Sequence, residues 1–207
     1  MVALGLVTGT SGNATVRTPE GDVLITPSSL DYEVLEPEDV VLVDPEEGRP
    51  LEGSLKPFSE TPMHVGIYRS RLRVGAVVHT HARCATTLAC LGWEIPPVHY
   101  MLTALSGDGW VPLAPYAAYG SEELAGHVSK ALVGESRQVC LLQNHVTLAV
   151  GKSAEEALHR TVILEEMAEI YYRARIAGEP ILLTPEQVAE VAAKIVDYGQ
   201  SKPSDAS

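Results

Sequence analysis

The sequence predicts an α/β fold: one domain built on a mixed, mainly antiparallel central sheet with helices on both faces. Three observations lead there. Short apolar runs with strand alternation are interleaved with segments of helical periodicity. Their order is irregular and no internal repeat is visible. The chain has 207 residues, 45% of them apolar, which suffices for one sizeable core and matches a single compact unit.

Taken in order, ATVRTPEGDVLITPS alternates around a Pro-Glu-Gly-Asp turn and predicts a hairpin. Val40 to Asp44 is a further short apolar run, closed by EEGRP. TPMHVGIYRS, Thr61 to Ser70, has a Thr cap, Pro at its first turn and apolar residues at helical spacing. The strand VGAVVHTH follows directly, then a helix over Ala82 to Leu91, the connection IPPVHYM, and a helix over Ser121 to Leu132 with Glu in its first turn. Gln138 to Val150 is β-rich. Ser153 caps a long amphipathic helix running to about Ile176, with Glu156 completing a capping box. A last helix starts at Thr184, with Pro185 at its first position, and ends near Tyr198 and Gly199. The domain is expected over 1–200, with 201–207 as a flexible polar tail.

Composition narrows the function. Fifteen Lys plus Arg stand against 27 Asp plus Glu, a net charge of -12, which argues against nucleic acid or an anionic membrane as partner while leaving room for a local phosphate pocket. No apolar run is long enough to span a bilayer and the N-terminus has no leader pattern, so a cytoplasmic protein is expected. Cys84, Cys90 and Cys140 have no CxxC spacing, sit in apolar sequence and are expected as buried thiols.

The sharpest chemical signal is His79-Thr80-His81 at the end of VGAVV. Residues i and i+2 of a strand face the same way, so both imidazoles can converge on one ion. A third histidine is then needed, and His64, His99, His127, His145 and His159 are all candidates between which composition does not choose. Three neutral imidazoles suit zinc, with an open position where the metal acts as a Lewis acid. Thr10-Ser11-Gly12-Asn13 and Thr26-Pro27-Ser28-Ser29 are turns whose N–H groups and hydroxyls could cradle a phosphate, although turns are rich in such residues anyway. Glu60, just before a helix, complements the helix N-terminus and would also serve as a base beside a metal.

These pieces occur together and in order. GTSGNATVR, ITPSSL, KPFSETPMH, AVVHTH, IPPVHYM, PLAPYAAYGSEEL, LLQNH, VGKSAEEALH and KIVDYG, spread over nearly the whole chain, resemble blocks of the class II aldolase and epimerase family. The resemblance implies a three-layer α/β/α fold, one zinc ion per subunit, and a homotetramer with active sites between subunits. It implies His79 and His81 as ligands, and selects His159 as the third by similarity to the epimerase branch. It further implies Glu60 as the proton-shuttling carboxylate, and Gly12, Asn13, Thr26 and Ser59 as phosphate-binding positions, with Ser28 as a compensating hydroxyl. Tyr116 would protonate the aldehyde oxygen and Tyr198 would orient the aldehyde end, both serving a neighbouring subunit. The implied reaction is reversible cleavage of a ketose 1-phosphate, such as L-fuculose 1-phosphate, to dihydroxyacetone phosphate and a small aldehyde.

Four departures accompany the resemblance. Phe58 replaces a Ser and Pro27 a Gly at the phosphate positions, removing a hydroxyl and an N–H donor. Asn144-His145-Val146 replaces an Asn-His-Gly turn, for which a structural role suffices. Only nine residues precede Thr10, where the family has a helix. Met101 stands where the epimerases require an Asp, favouring aldolase over the alternative of 4-epimerase; a dehydratase of the same family is a further alternative. A non-catalytic adducin-like assembly protein is disfavoured by the histidines.

Overall fold

A computed structural model gives the architecture and describes residues 1–195. Tyr198, the end of the last helix and the tail 201–207 lie outside the described residues. The strands are β1 (Asn13–Arg17), β2 (Val23–Ile25), β3 (Val41–Val43), β4 (Pro50–Glu52), β5 (Ala76–Thr80), β6 (Leu113–Ala114), β7 (Val139–Leu142) and β8 (Thr147–Gly151). They form one sheet in the order β4-β3-β2-β1-β5-β8-β7-β6. Every neighbouring pair is antiparallel except β6 and β7, so the sheet is mixed and mainly antiparallel, as expected. The β1–β2 hairpin forms where alternation places it, Thr15 opposite Ile25 and Arg17 opposite Val23. β4, beginning at Pro50 on the sheet edge, and the two-residue β6 carry too little pattern to be read from sequence.

The helices are α1 (Thr61–Ser70), α2 (Arg83–Leu91), α3 (Glu122–Ala131), α4 (Ala154–Ala177) and α5 (Pro185–Ile195). α1 and α3 pack together on one face of the sheet, α2 and α4 on the other. The central strands show why. In β5, Val77 enters the core shared with Met63, Ile67 and Leu124, while Ala76 and Val78 meet Ala157 of α4. In β8, Leu148 and Val150 join the first core and Ala149 the α2/α4 core. Both strands are buried throughout, because each covers one face with every second residue.

Local chemistry fixes the helix ends. Glu60, not Thr61, is the N-cap residue of α1; the Thr61 hydroxyl turns back to donate to the Phe58 carbonyl (2.5 Å). Ser153 caps α4 by accepting from Glu156 N–H (3.3 Å), but Glu156 does not complete the box. Its carboxylate instead accepts from Lys152 N–H (2.5 Å) and pairs with Arg160 (2.7 Å), one turn along. The N-terminus of α2 is clamped from the neighbouring helix: Cys84 N–H and Ala85 N–H donate to the two oxygens of Glu165 (2.7 and 2.9 Å). Gly92 closes α2 in the left-handed conformation, φ 70°.

One expectation is corrected. Only Cys140 is buried; Cys84 is half-buried and Cys90 exposed, since it lies on the solvent side of α2. Ahead of β1 there is a short 3-10 turn, Val2–Leu4, with Val2 and Leu4 exposed and Leu6 and Val7 buried. Among the described residues no helix is long and apolar enough to cross a membrane.

Candidate active site

The site lies at one end of β5, where the strand hands over to α2. His79 has the same parity as Val77, so its ring enters the α1 side of the sheet. There Glu60 waits at the helix start. Glu60 is 3% exposed, and its Oε2 lies 3.0 Å from His79 Nε2 while its Oε1 lies 3.3 Å from His145 Nε2. His81 follows two residues later, and His145 arrives from the turn between β7 and β8. The antiparallel register explains that arrival: Thr80 pairs with Thr147, so the residues just before β8 must lie beside those just after β5. One ligating atom from each of His79, His81 and His145 lies within 4.8 Å of the others.

The protonation states suit a cation. Burial, then the charges of His79 and His145, push His81 down to about 4 against the pull of Glu60. His145 is lowered likewise, first by burial and then by His79. Burial pushes the Glu60 carboxyl up, but contact with His79 and the positive potential of the surrounding histidines overcome it, and the group ends at about 2. Near neutral pH the site therefore offers neutral imidazoles at His81 and His145 beside an ionised carboxylate. The buried atoms His79 Nε2 and Glu60 Oε1 face these neighbours without the alignment of a hydrogen bond, leaving lone pairs unspent. Such a donor set fits zinc, whose bonds to imidazole run about 2.0–2.1 Å.

A buried polar layer stands behind it. Asn13, opposite His79 in the β1–β5 ladder, donates through Nδ2 to Glu60 Oε2 (3.2 Å). One turn beyond Glu60, His64 Nδ1 meets the Thr15 hydroxyl at 2.9 Å, which also meets the Tyr68 hydroxyl at 2.9 Å. Gly12 has φ +76°, and a Cβ there would stand 2.7 Å from the His79 carbonyl oxygen, so only glycine fits. In the β7–β8 turn the left-handed residue is Asn144 (φ 53°), a type that tolerates it. Val146 is buried and needs no positive φ, so replacing the family's glycine costs the turn nothing.

A cavity of about 330 Å³ opens over the cluster, lined among others by Gly12, Ser59, Glu60, His81, Tyr116 and His145. The expected residues thus divide. Gly12, Ser59, Glu60, His81 and Tyr116 share one cavity, and Asn13 and His79 lie buried beside it. Tyr116 lines the cavity of its own chain. Thr26 uses its hydroxyl to accept from Ala14 N–H (3.2 Å), while Ser28 is exposed with its hydroxyl 3.3 Å from that of Ser29. Phe58 lines the cavity and leans on the core; Pro27 bridges to Pro57.

His159 is a correction. It lies on α4, against the opposite face of the sheet, exposed at a separate cavity with Tyr100 and Met101. A side chain there cannot reach a ring that points toward α1. The third histidine of the cluster is His145, which sequence reasoning passed over as a turn residue. The signal for it was the hairpin itself: a strand pairing antiparallel with β5 brings the turn preceding it to the HxH end.

Comparison with known proteins gives the family and agrees with the fold. Residues 1–172 match the family described as class II aldolase and adducin N-terminal domain. The chain is 42% identical over 201 residues to 5-methylthioribulose-1-phosphate/5-deoxyribulose-1-phosphate aldolase of Rhodospirillum rubrum, covering 97% of this chain and 88% of that one. It is 39% identical over 200 residues to L-fuculose phosphate aldolase of Escherichia coli, covering 96% and 90%. A solved structure of L-fuculose 1-phosphate aldolase superposes with a TM-score of 0.89 at 36% identity, over 94% of this chain and 90% of that one. With the match spanning most of the sequence, the fold and the carboxylate-histidine cluster, the chain belongs to the class II aldolase and adducin N-terminal domain family.

Proposed function

We propose that this chain is a zinc-dependent aldolase that reversibly cleaves a ketose 1-phosphate to dihydroxyacetone phosphate and a small aldehyde, with His79, His81 and His145 as ligands. The observation that carries the reading is the convergence of those three rings on one another, two of them against Glu60, beneath an open cavity. When bound, the metal would supply Lewis-acid polarisation of the substrate carbonyl. Glu60 takes and returns the proton at the carbon that carries the electron pair of the broken C–C bond, a role supported by its ionised state and its hydrogen bond from Asn13. Tyr116, on the cavity wall, carries the proton exchanged with the hydroxyl that becomes the aldehyde oxygen. Gly12 and Ser59 border the space for the phosphate; Asn13 follows Gly12, and Thr26 and Ser28 stand in the separate turn after β2, tied to β1 by Thr26 accepting from Ala14 N–H.

A second reading of the substrate is favoured by Phe58 and Ala117, which give the cavity an apolar wall. It is a pentulose 1-phosphate with a deoxygenated or methylthio end, as acted on by the Rhodospirillum relative, rather than L-fuculose 1-phosphate. A panel of ketose phosphates, with product coupled to a reductase of dihydroxyacetone phosphate and run with zinc or chelator, separates the two. Epimerised or dehydrated product without dihydroxyacetone phosphate overturns the aldolase reading. Tyr116→Phe is expected to slow cleavage more than it slows proton exchange at dihydroxyacetone phosphate; equal slowing removes its aldehyde-side role. We further infer a cytoplasmic homotetramer, supported by the family resemblance and by the exposed aromatic rim of Tyr116 and Tyr119; sedimentation tests the assembly.

A further inference from the structure

The same two strands that carry the histidines have a second end. β5 and β8 pair from Ala76–Gly151 to Thr80–Thr147, so the entry to β5 and the exit of β8 meet about 14 Å from the histidine cluster at ~3.4 Å per residue. A separate cavity of about 150 Å³ opens there, lined by Arg71, Arg73, Lys152 and Arg160 together with Glu135 and Gln138 among others. Its floor is tight: Gly75 N–H donates to the Gly151 carbonyl (2.9 Å), and a Cβ on Gly75 would collide with the Lys152 backbone.

Cations are concentrated here in a chain whose net charge is -12. Arg160 is paired with Glu156 (2.7 Å), but Arg71, Arg73 and Lys152 have no ion-pair partner among the described residues. Arg71 is 9% exposed, donates to the carbonyls of Arg137 (2.7 Å) and Glu135 (3.3 Å), and keeps its Nε without a partner. Burying a guanidinium is costly unless its charge is compensated, and for Arg71 the Glu135 charge opposes the cost of burial only from beyond ion-pair distance. Arg160 feels it: burial and the charge of Arg71 both lower its proton affinity, against the pull of Glu156. At about 30 Å³ per water, the cavity holds roughly five water volumes, room for a phosphate-sized anion.

We propose that this cavity is a second, non-catalytic site that binds a small phosphate-class dianion through Arg71, Arg73, Lys152 and Arg160. Guanidinium forks match tetrahedral oxyanions, and exposed Arg73 and Lys152 close over an anion seated on the two half-buried or buried arginines. The site rests on residues distinct from the catalytic cavity, so it stands or falls separately from the aldolase reading.

Titration calorimetry with inorganic phosphate tests it, on the wild-type full chain and on Arg73→Ala/Lys152→Ala, whose exposed positions leave the fold intact by thermal unfolding. The expected result is one phosphate per chain in addition to any bound in the catalytic cavity, and this additional site binds at least tenfold more weakly in the double variant, with cleavage rate and phosphate inhibition of cleavage unchanged. Sulfate should compete for it, and chloride at matched ionic strength should not. Equal phosphate count and affinity in the two proteins, or displacement by chloride as readily as by sulfate, overturns the proposal. Loss of phosphate inhibition of cleavage in the double variant would also overturn it, since the phosphate bound through these residues would then be the one in the catalytic cavity.

Discussion

The two faces of β5 differ in kind although their residues alternate along one strand. Toward α4 lie Ala76 and Val78, closed by Ala157, and then Thr80, whose hydroxyl meets that of Thr147 at 3.0 Å, with no charged group among them. Toward α1 lie Val77 and then His79, which meets Glu60, with Asn13 and His64 nearby. The face turned to α4 holds layers together; the face turned to α1 holds charge. The difference teaches that a ligand for His79 must come from the α1 side or from a turn at the strand end, and a histidine on α4 is excluded whatever its sequence neighbours.

The strongest way to break that comparison is His145→Ala. It should strip bound metal and lower cleavage by more than the ~10–100-fold typical of outer-shell changes, read by elemental analysis and steady-state rates. Full metal occupancy in this variant would remove His145 from the site. Gly12→Ala should come next, driving a Cβ to 2.7 Å from the His79 carbonyl oxygen at a positive φ and destabilising the fold by about 1–3 kcal/mol in denaturant unfolding.

A pH effect follows from the buried layer. Burial, with the charge of His79, holds His64 at about 3, below the usual 6.5, despite Glu60. The unfolded chain therefore takes up a proton that the folded one refuses. Its contribution to stability is whole above pH 6.5 and is lost progressively as pH falls toward 3. Unfolding midpoints of metal-free protein should fall through that window, and His64→Gln should flatten the slope; an unchanged slope would place the dependence elsewhere. The smallest effect belongs to His159→Ala, an exposed change expected to stay within about 0.5 kcal/mol and to leave metal content alone.

Much of this was legible in the sequence for definite reasons. The span of α1 could be read because Pro62 and a run of apolar residues mark it, and β5 because an apolar run ends in HxH. Glu60 was legible as an acid ahead of a helix. His145 was not, because a turn histidine has no periodicity, and its place depends on a pairing between strands 67 residues apart, as the Thr80–Thr147 hydroxyl contact shows. β6 escaped because a two-residue parallel strand exists only through its neighbour β7. The α1 cap was misplaced by one residue, Glu60 for Thr61, while at α4 Ser153 is the cap expected and only Glu156 departs, turning to Lys152 N–H instead of closing the box.

The Glu165 clamp on α2 has a consequence beyond the helix it holds. α2 begins two residues after His81, and two charge-assisted bonds from Cys84 and Ala85 tie that start to α4. His81 is thereby tethered to the layer that contributes no ligand. The position of His81 is thus coupled through α2 to a carboxylate behind the sheet, so that a change at Glu165 would be felt at the cluster.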